Sequence, residues 1–159
     1  MPQLYENTRY NFERNARKTI TIYTAGGSPV TQTYNLHEPI TIDTLSDVYI
    51  DSFISNDGTN TVITPVFLLG VDEFNIRSVA GATTDTLASK YNNKIIIPNT
   101  TGTASGATTI AHRATKFNYV GTINPCKLTK LTMSLTKDDG LGAIGGGKYW
   151  ITFVIVSKE

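Results

Sequence analysis

A glycine-rich segment near the end of the chain has the spacing of a phosphate-binding loop. Gly142 and Gly147 have four residues between them, and Lys148 follows directly. A P-loop also needs a Ser or Thr for magnesium and a helix whose N-terminus faces the phosphates. Tyr149 stands at the hydroxyl position, and the residues after it have the composition of a strand. We therefore interpret 142–147 as a loop between two strands, in which glycine permits positive φ.

Carboxylates offer the next possible chemistry. Asp138 and Asp139 could bind a hard cation, but Leu and Gly follow them instead of the alternating acids of a calcium loop. We expect an exposed turn there. A glycosidase pair is set by distance in the fold and leaves no spacing in the sequence. That alternative stays open for the scattered acids, which are Asp43, Asp47, Asp51, Asp72 and Glu73.

Nucleophilic or metal chemistry would have to use the two histidines and the single cysteine. His37 and His112 are 75 residues apart and have no paired ligand spacing. A Cys126–His112 nucleophile pair is an alternative, but Cys126 opens an alternating strand, where a free cysteine commonly serves as a small buried apolar residue. We therefore expect no catalytic residues, no metal, no cofactor and no enzymatic activity.

The composition favours a β protein that is rich in threonine and poor in charged residues. The 159 residues include 25 threonines, only 17% charged residues and a net charge of +1. Threonine favours strands because it is β-branched, and the weak charge provides no field that attracts nucleic acid. One cysteine excludes an intrachain disulfide, and the longest apolar runs are too short to span a bilayer. We expect no specific nucleic-acid partner and no membrane-spanning segment.

The first 18 residues form a separate segment with a net charge of +2. Aromatic and basic side chains are interleaved in it, which suits an arm that docks on a partner. A frayed terminus is the alternative. We predict an N-terminal arm at 1–18 and one domain at 19–159. The candidate interface residues of the arm are Tyr5, Arg9, Tyr10, Phe12, Arg14 and Arg17.

After Lys18 the chain consists of short apolar or alternating runs separated by turn residues. This pattern is typical of a β-sandwich or barrel. A loop with at most one helical turn is expected at 80–93, and a surface loop of small residues at 100–109. The predicted strands are 19–24, 30–36, 40–45, 47–55, 62–69, 73–79, 94–99, 116–123, 127–137 and 149–156.

Alternation predicts which side chains face the core. In 47–55, one face should carry Val48, Ile50 and Ile54 and the other Tyr49, Asp51 and Phe53. In 127–137, alternate residues from Leu131 to Leu135 should point inward. The prolines are expected to interrupt strands: Pro39 separates two of them, and Pro65 indicates an edge position or a bulge.

These patterns together predict an all-β fold, a single jelly-roll β-sandwich of about eight strands. In a jelly roll the first and last strands are neighbours in one sheet. The well-formed runs 19–24 and 149–156 are the candidates for that pair.

One part of the chain resembles a known family. The run NPCKLTKLTMSLTKDDG (124–140), then a glycine-rich gap and YWITFVIV, is similar to the closing part of single jelly-roll capsid proteins of large icosahedral DNA viruses. The preceding KFNYVGTI and IIIPN also fit. The residues that match the family outline are Asn124, Pro125, Leu128, Leu131, Asp139, Gly140 and the strand from Tyr149.

The resemblance implies a structural capsid protein, either the vertex (penton) subunit or another minor capsid protein. For a penton it implies a homopentamer that contacts neighbouring major and minor capsid proteins in the virion, after assembly in the host cytoplasm. It also implies that the arm reaches a neighbouring subunit.

A binding module is the alternative to a capsid subunit. A β-sandwich of this size could be a fibre head or a carbohydrate-binding domain that recognises a glycan or a receptor. Trp150 lies in an apolar strand on the same face as Thr152, so this alternative expects it to be exposed.

Overall fold

A computed structural model describes most of the chain. The residues that it describes are 17–24, 31–57, 66–81, 83–98, 108–137 and 148–158. Strands dominate these ranges, as the threonine-rich and β-branched composition predicts. The elements are β1 (Arg17–Thr24), β2 (Thr31–Ile42), β3 (Ser46–Asp57), β4 (Val66–Val71), α1 (Asp85–Tyr91), β5 (Ile95–Pro98), β6 (Thr108–Ile123), β7 (Cys126–Lys137) and β8 (Lys148–Ser157).

The strands form two four-stranded antiparallel sheets that pack as a sandwich. One sheet has the order β1-β8-β3-β6 and the other β2-β7-β4-β5. This is the strand order of a jelly roll, so the predicted fold class is confirmed. The predicted pairing of the first and last strands is also observed, with Thr21 opposite Thr152 in the register of β1 and β8.

The core lies between the two sheets and follows the alternation of the strands. On β7, Leu131, Met133 and Leu135 are buried as predicted. Phe53 and Phe67 meet across the sandwich with ring centroids 5.2 Å apart. Burial of aromatic and aliphatic side chains of this size supplies most of the stabilisation of such a fold.

The face prediction for β3 is wrong in its second half. Phe53 is fully buried, whereas Ile54 is 38% exposed. The reason is a bulge at Asp51: in the pairing with β8, Ile50 lies opposite Phe153 and Ser52 opposite Thr152. The one extra residue on β3 reverses the alternation beyond it.

Pro39 does not separate two strands. β2 continues from Thr31 to Ile42, and the register with β7 shifts between Asn35 and Ile40. β2 is an edge strand. An edge position with a register irregularity tolerates a proline, because no ladder partner needs its missing N–H.

The edge prediction for the strand after Pro65 is also wrong. β4 begins at Val66 and lies between β7 and β5 in the interior of its sheet. Pro65 itself lies outside the described residues. The strand predicted at 73–79 is reduced to one bridge between Asn75 and Thr122.

The two predicted loops agree with the structure only in part. The loop expected at 80–93 contains the short helix α1, within the range where a helical turn was allowed. Residues 100–107 of the surface loop expected at 100–109 lie outside the described residues. The last two residues of that range belong to β6, which begins at Thr108.

The start of the sandwich lies two residues earlier than the predicted boundary. β1 begins at Arg17, and Lys18 pairs with Ile155 of β8. The Lys18 ammonium also donates to the Thr41 carbonyl and lies 3.8 Å from the Asp43 carboxylate. Arg17 and Lys18 therefore belong to the sheet, and the arm before them lies outside the described residues.

Candidate functional site

The residues singled out for chemistry are spread over the fold. Lys148 is the first residue of β8, so a strand and not a helix follows the glycine-rich segment, as predicted. The segment 138–147 lies outside the described residues. Among the residues that the structure describes, no group of three or more His, Cys, Asp or Glu is placed to hold a metal ion.

Cys126 departs from its prediction. It is exposed at the start of β7, opposite Ile42 at the end of β2. The buried residues of β7 begin at Leu128. His112 lies on β6, which belongs to the other sheet. The strands that carry the suggested nucleophile pair are thus in different layers.

Of the candidate arm residues, the structure places only Arg17. It is the first residue of β1 and lies opposite Val156. The other five, Tyr5, Arg9, Tyr10, Phe12 and Arg14, lie outside the described residues.

Among the described residues, a groove lies where the edge strands β5 and β6 approach each other. Its volume is about 1070 Å³. β5 forms one wall and β6 the other, while residues 75–78 lie at one end. Ile96 and Tyr119 are more than half exposed on its two walls, and Leu45 is 43% exposed.

Asparagine side chains fix one end of the groove. The Asn75 amide donates to the Thr122 hydroxyl at 3.3 Å and to the Asn124 side-chain oxygen at 3.2 Å. The backbones of Asn75 and Thr122 also exchange two hydrogen bonds, with N···O distances of 2.7 and 3.4 Å. These bonds hold the 75–78 segment against β6.

Gly121 allows this close contact. A Cβ at this position would lie 2.6 Å from the Asn75 carbonyl oxygen, which is a backbone atom with little freedom to move. The sequence signal for this role is a glycine inside an otherwise regular strand, which often marks a close backbone approach. The strand pattern of 116–123 predicted no such role for Gly121.

A second surface is an apolar row on the outer face of the β1-β8-β3-β6 sheet. Tyr23, Trp150 and Ile54 lie side by side in register across three strands. The Tyr23 and Trp150 rings are 5.0 Å apart and tilted by 31°. Tyr23 is 46% exposed and Trp150 is half-buried. The bulge at Asp51 is what brings Ile54 to this face.

A charged cluster lies at the other end of the same outer face. The Lys158 ammonium contacts the Asp47 carboxylate at 2.7 Å. The Asp47 hydrogen bond raises the pKa of Lys158. Burial, and then the nearby Asp47 charge, raise the pKa of Tyr49, while Lys158 acts to lower it. Tyr49 also packs edge-on against Tyr119, with ring centroids 5.7 Å apart.

On the β2-β7-β4-β5 sheet, the side chain of Lys94 crosses β4 at Gly70. The Lys94 ammonium donates to the Ser134 hydroxyl of β7 at 2.9 Å. It passes over Gly70 of β4, where a Cβ would lie 2.5 Å from the ammonium nitrogen. This links the start of β5 to the centre of its own sheet.

The strand order and these surfaces define the class of protein: a single jelly-roll β-sandwich with an open groove at one edge. No protein-family model and no curated protein sequence matches the chain. Among the described residues, no helix is long and apolar enough to cross a membrane.

A comparison of structures finds a similar chain in the structure of infectious bursal disease virus, Gt strain. The match has 11% sequence identity and a TM-score of 0.30, and it covers 91% of this chain. The chain spans about a third (32%) of the length of that chain. The jelly-roll assignment rests on the observed strand order and not on this match.

Proposed function

We propose that this protein is a structural capsid subunit, not an enzyme, that assembles with copies of itself in an icosahedral virus shell. The observation that carries the proposal is the complete jelly-roll strand order in one chain. A fold alone does not define a function. The proposal therefore depends on the sequence resemblance to single jelly-roll capsid proteins as well as on the strand order.

The matching residues that the structure describes lie in the turn before β7, on β7 and on β8, while Asp139 and Gly140 lie outside the described residues. Asn124 and Pro125 form the turn between β6 and β7, and Leu128 and Leu131 on β7 are buried in the core. The strand from Tyr149 is β8, at the centre of the other sheet. The motif thus supplies the inner residues of one sheet and the final strand of the other, which supports a resemblance at the level of the whole fold.

The finer proposal is a penton, a homopentamer at the vertices that contacts major and minor capsid proteins of the virion. Its support is the sequence resemblance together with the single jelly roll that the described residues form, since the major proteins of such shells carry two. Assembly in the host cytoplasm belongs to the same proposal. Lateral contacts would use the exposed apolar side chains of the groove and of the outer sheet face, because side chains of that kind gain most from burial.

The test is the oligomeric state of the purified protein. Light scattering should give five times the chain mass of 17.3 kDa, and electron micrographs should show rings of fivefold symmetry. Rings of another symmetry would contradict the penton assignment, while the proposed role as a capsid subunit would stand. A monomer at high concentration, both alone and with capsid partners, would contradict self-assembly.

A glycan-binding module is a second candidate, favoured by the row of Tyr23 and Trp150. Aromatic faces stack on sugar rings, and hydroxyls of Thr21 and Thr152 lie in the next row, 3.2 Å from each other. A glycan array should then show binding that Trp150→Ala and Tyr23→Ala abolish. Absence of any binding by the native protein would contradict this candidate.

A further inference from the structure

The apolar row on the outer face of the β1-β8-β3-β6 sheet has polar groups on both of its sides. Side chains two residues apart on a strand share a face, so Thr152 and Lys148 flank Trp150 on β8. Each lies about 7 Å from Trp150 along the strand. Lys148 is exposed and Thr152 is half-buried. The row is therefore an apolar strip with a hydroxyl group on one side and a cation on the other.

The hydroxyl side has hydrogen-bonding capacity left for a ligand. The hydroxyls of Thr21 and Thr152 bond to each other at 3.2 Å, and Ser52 continues the same row on β3. A hydroxyl has one hydrogen to donate and two acceptor positions. The bond between the threonines uses one hydrogen, so the other hydrogen and most of the acceptor positions remain. Such groups beside exposed aromatic rings suit a sugar, which has apolar C–H faces and hydroxyls around its rim.

The cation on the other side has no acidic partner in the described part of the chain. The ion pairs there are formed by Lys18 and Lys158, and no carboxylate pairs with Lys148. The residue opposite Lys148 on β3 is the uncharged Asn56. An anionic group that approaches this ammonium gains a charge-assisted bond, which is stronger than a bond between neutral groups. The charge at this edge of the row therefore favours a ligand with a negative group.

We infer that the apolar row binds a sugar ring that carries an anionic group, either a carboxylate or a sulfate. The ring packs on Tyr23 and Trp150, and its anionic group pairs with the Lys148 ammonium. Its hydroxyls bond to the pair of Thr21 and Thr152. The inference rests on the glycan-binding candidate and names the chemical class of its ligand.

Tryptophan fluorescence measures this binding directly, because Trp150 is the only tryptophan of the chain. The full-length protein is titrated with methyl glucoside, methyl glucuronide and glucose 6-sulfate, which share a pyranose ring and differ in charge. At low salt, at least one anionic sugar should bind about fivefold more tightly than the neutral sugar, as expected for an exposed charge contact. Added salt should reduce this preference. The difference between the two anionic sugars shows whether the site prefers a carboxylate or a sulfate.

Variants of the lysine test the placement of the anionic group. Lys148→Gln should remove the preference and retain the binding of the neutral sugar, whereas Lys148→Arg should keep the preference. Lys130→Gln is the matched control, because Lys130 is exposed on β7 in the other sheet and its replacement changes the net charge equally. It should leave the preference unchanged. An unaltered urea unfolding transition verifies that each variant is folded.

Four outcomes would overturn the inference. If the native protein bound the anionic sugars no more tightly than the neutral one, the glycan-binding candidate alone would stand. A preference that survives in Lys148→Gln would contradict the pairing with this lysine. Binding on a glycan array without a change in Trp150 fluorescence would place the glycan elsewhere on the protein. Absence of binding in both measurements would overturn the glycan-binding candidate as well, while the capsid proposal would still depend on the oligomeric state.

Discussion

The hydroxyls of Tyr34 and Tyr149 form a hydrogen bond that joins the two sheets. Tyr34 lies on β2 and Tyr149 on β8, and Tyr34 also donates toward the Gln32 side-chain oxygen at 3.2 Å. Tyr149 is 5% exposed and packs on Phe53. A polar pair at this depth is stable only because each hydroxyl has a partner.

Removal of the Tyr149 hydroxyl should destabilise the sandwich. Tyr149→Phe keeps the ring packing but removes the bond between the sheets, so we expect a loss of about 1 kcal/mol in the free energy of unfolding. Urea denaturation measures it. Tyr34→Phe removes the same bond from the half-buried partner, so it should lower the free energy of unfolding by a similar amount. A Tyr149→Phe protein as stable as the native one would contradict a role of this bond.

Alkaline pH should weaken the native protein through the same residue. Burial, and then the bond with Tyr34, raise the pKa of Tyr149 above its ordinary value of 10.0. The unfolded chain therefore loses this proton first, and the contribution is complete below pH 10 and falls as pH rises above it. Unfolding followed from pH 8 to 11 should show this decline, and Tyr149→Phe should show less of it.

Gly121→Ala should destabilise the protein more than an ordinary glycine replacement. The added methyl group would lie 2.6 Å from the Asn75 carbonyl oxygen and force the two backbones apart. We expect a loss of about 1–3 kcal/mol, measured by urea denaturation. Gly81→Ala is the matched control, because among the described residues no atom beyond its chain neighbours lies within 4 Å of the added Cβ. Equal effects of the two substitutions would contradict the close contact.

Gly70→Ala should be milder than Gly121→Ala, although its contacts are as short. The added Cβ would meet the ammonium of Lys94 and the hydroxyl of Ser134, at 2.5 and 2.6 Å. Both are side-chain atoms, and the lysine end can move away. Adding Lys94→Met should reduce the cost of Gly70→Ala, which a double-mutant cycle measures. Independent, additive effects would contradict the crossing of the lysine over this glycine.

The pKa of Tyr49 should respond in opposite directions to its two charged neighbours. Asp47→Asn removes a charge that raises this pKa, so it should fall toward its ordinary value. Lys158→Gln removes a charge that lowers it, so it should rise. NMR titration of ring-labelled tyrosine gives both shifts. Movement of the two variants in the same direction would contradict the placement of the cluster.

The sequence predicted much of the fold because its strands are strongly patterned. Leu131, Met133 and Leu135 were placed correctly, since β7 keeps a period of two along that stretch. The pairing of β1 with β8 was also predicted, because the expected jelly roll makes the first and last strands neighbours in one sheet. The role of Gly121 was not predicted, because its reason is a carbonyl more than forty residues away in the chain.

The candidate surfaces were mostly beyond prediction. The groove depends on which strands end each sheet, and strand order is decided by contacts between distant residues. The apolar row depends on a bulge at Asp51 that turns Ile54 outward. The exposure of Cys126 was not predicted either: it is the first residue of β7, and the buried residues of that strand begin at Leu128.

Local sequence therefore determined the strand content, the inward face of regular strands and the strand that follows the glycine-rich segment. These features depend on the character of neighbouring residues, which alternation and β-branching reveal directly. Only the tertiary structure decided the sheet order, the register shifts and which two strands, β5 and β6, end their sheets at the groove. Those features arise when distant segments compete for partners, and one inserted residue is enough to reverse which side chains reach the surface.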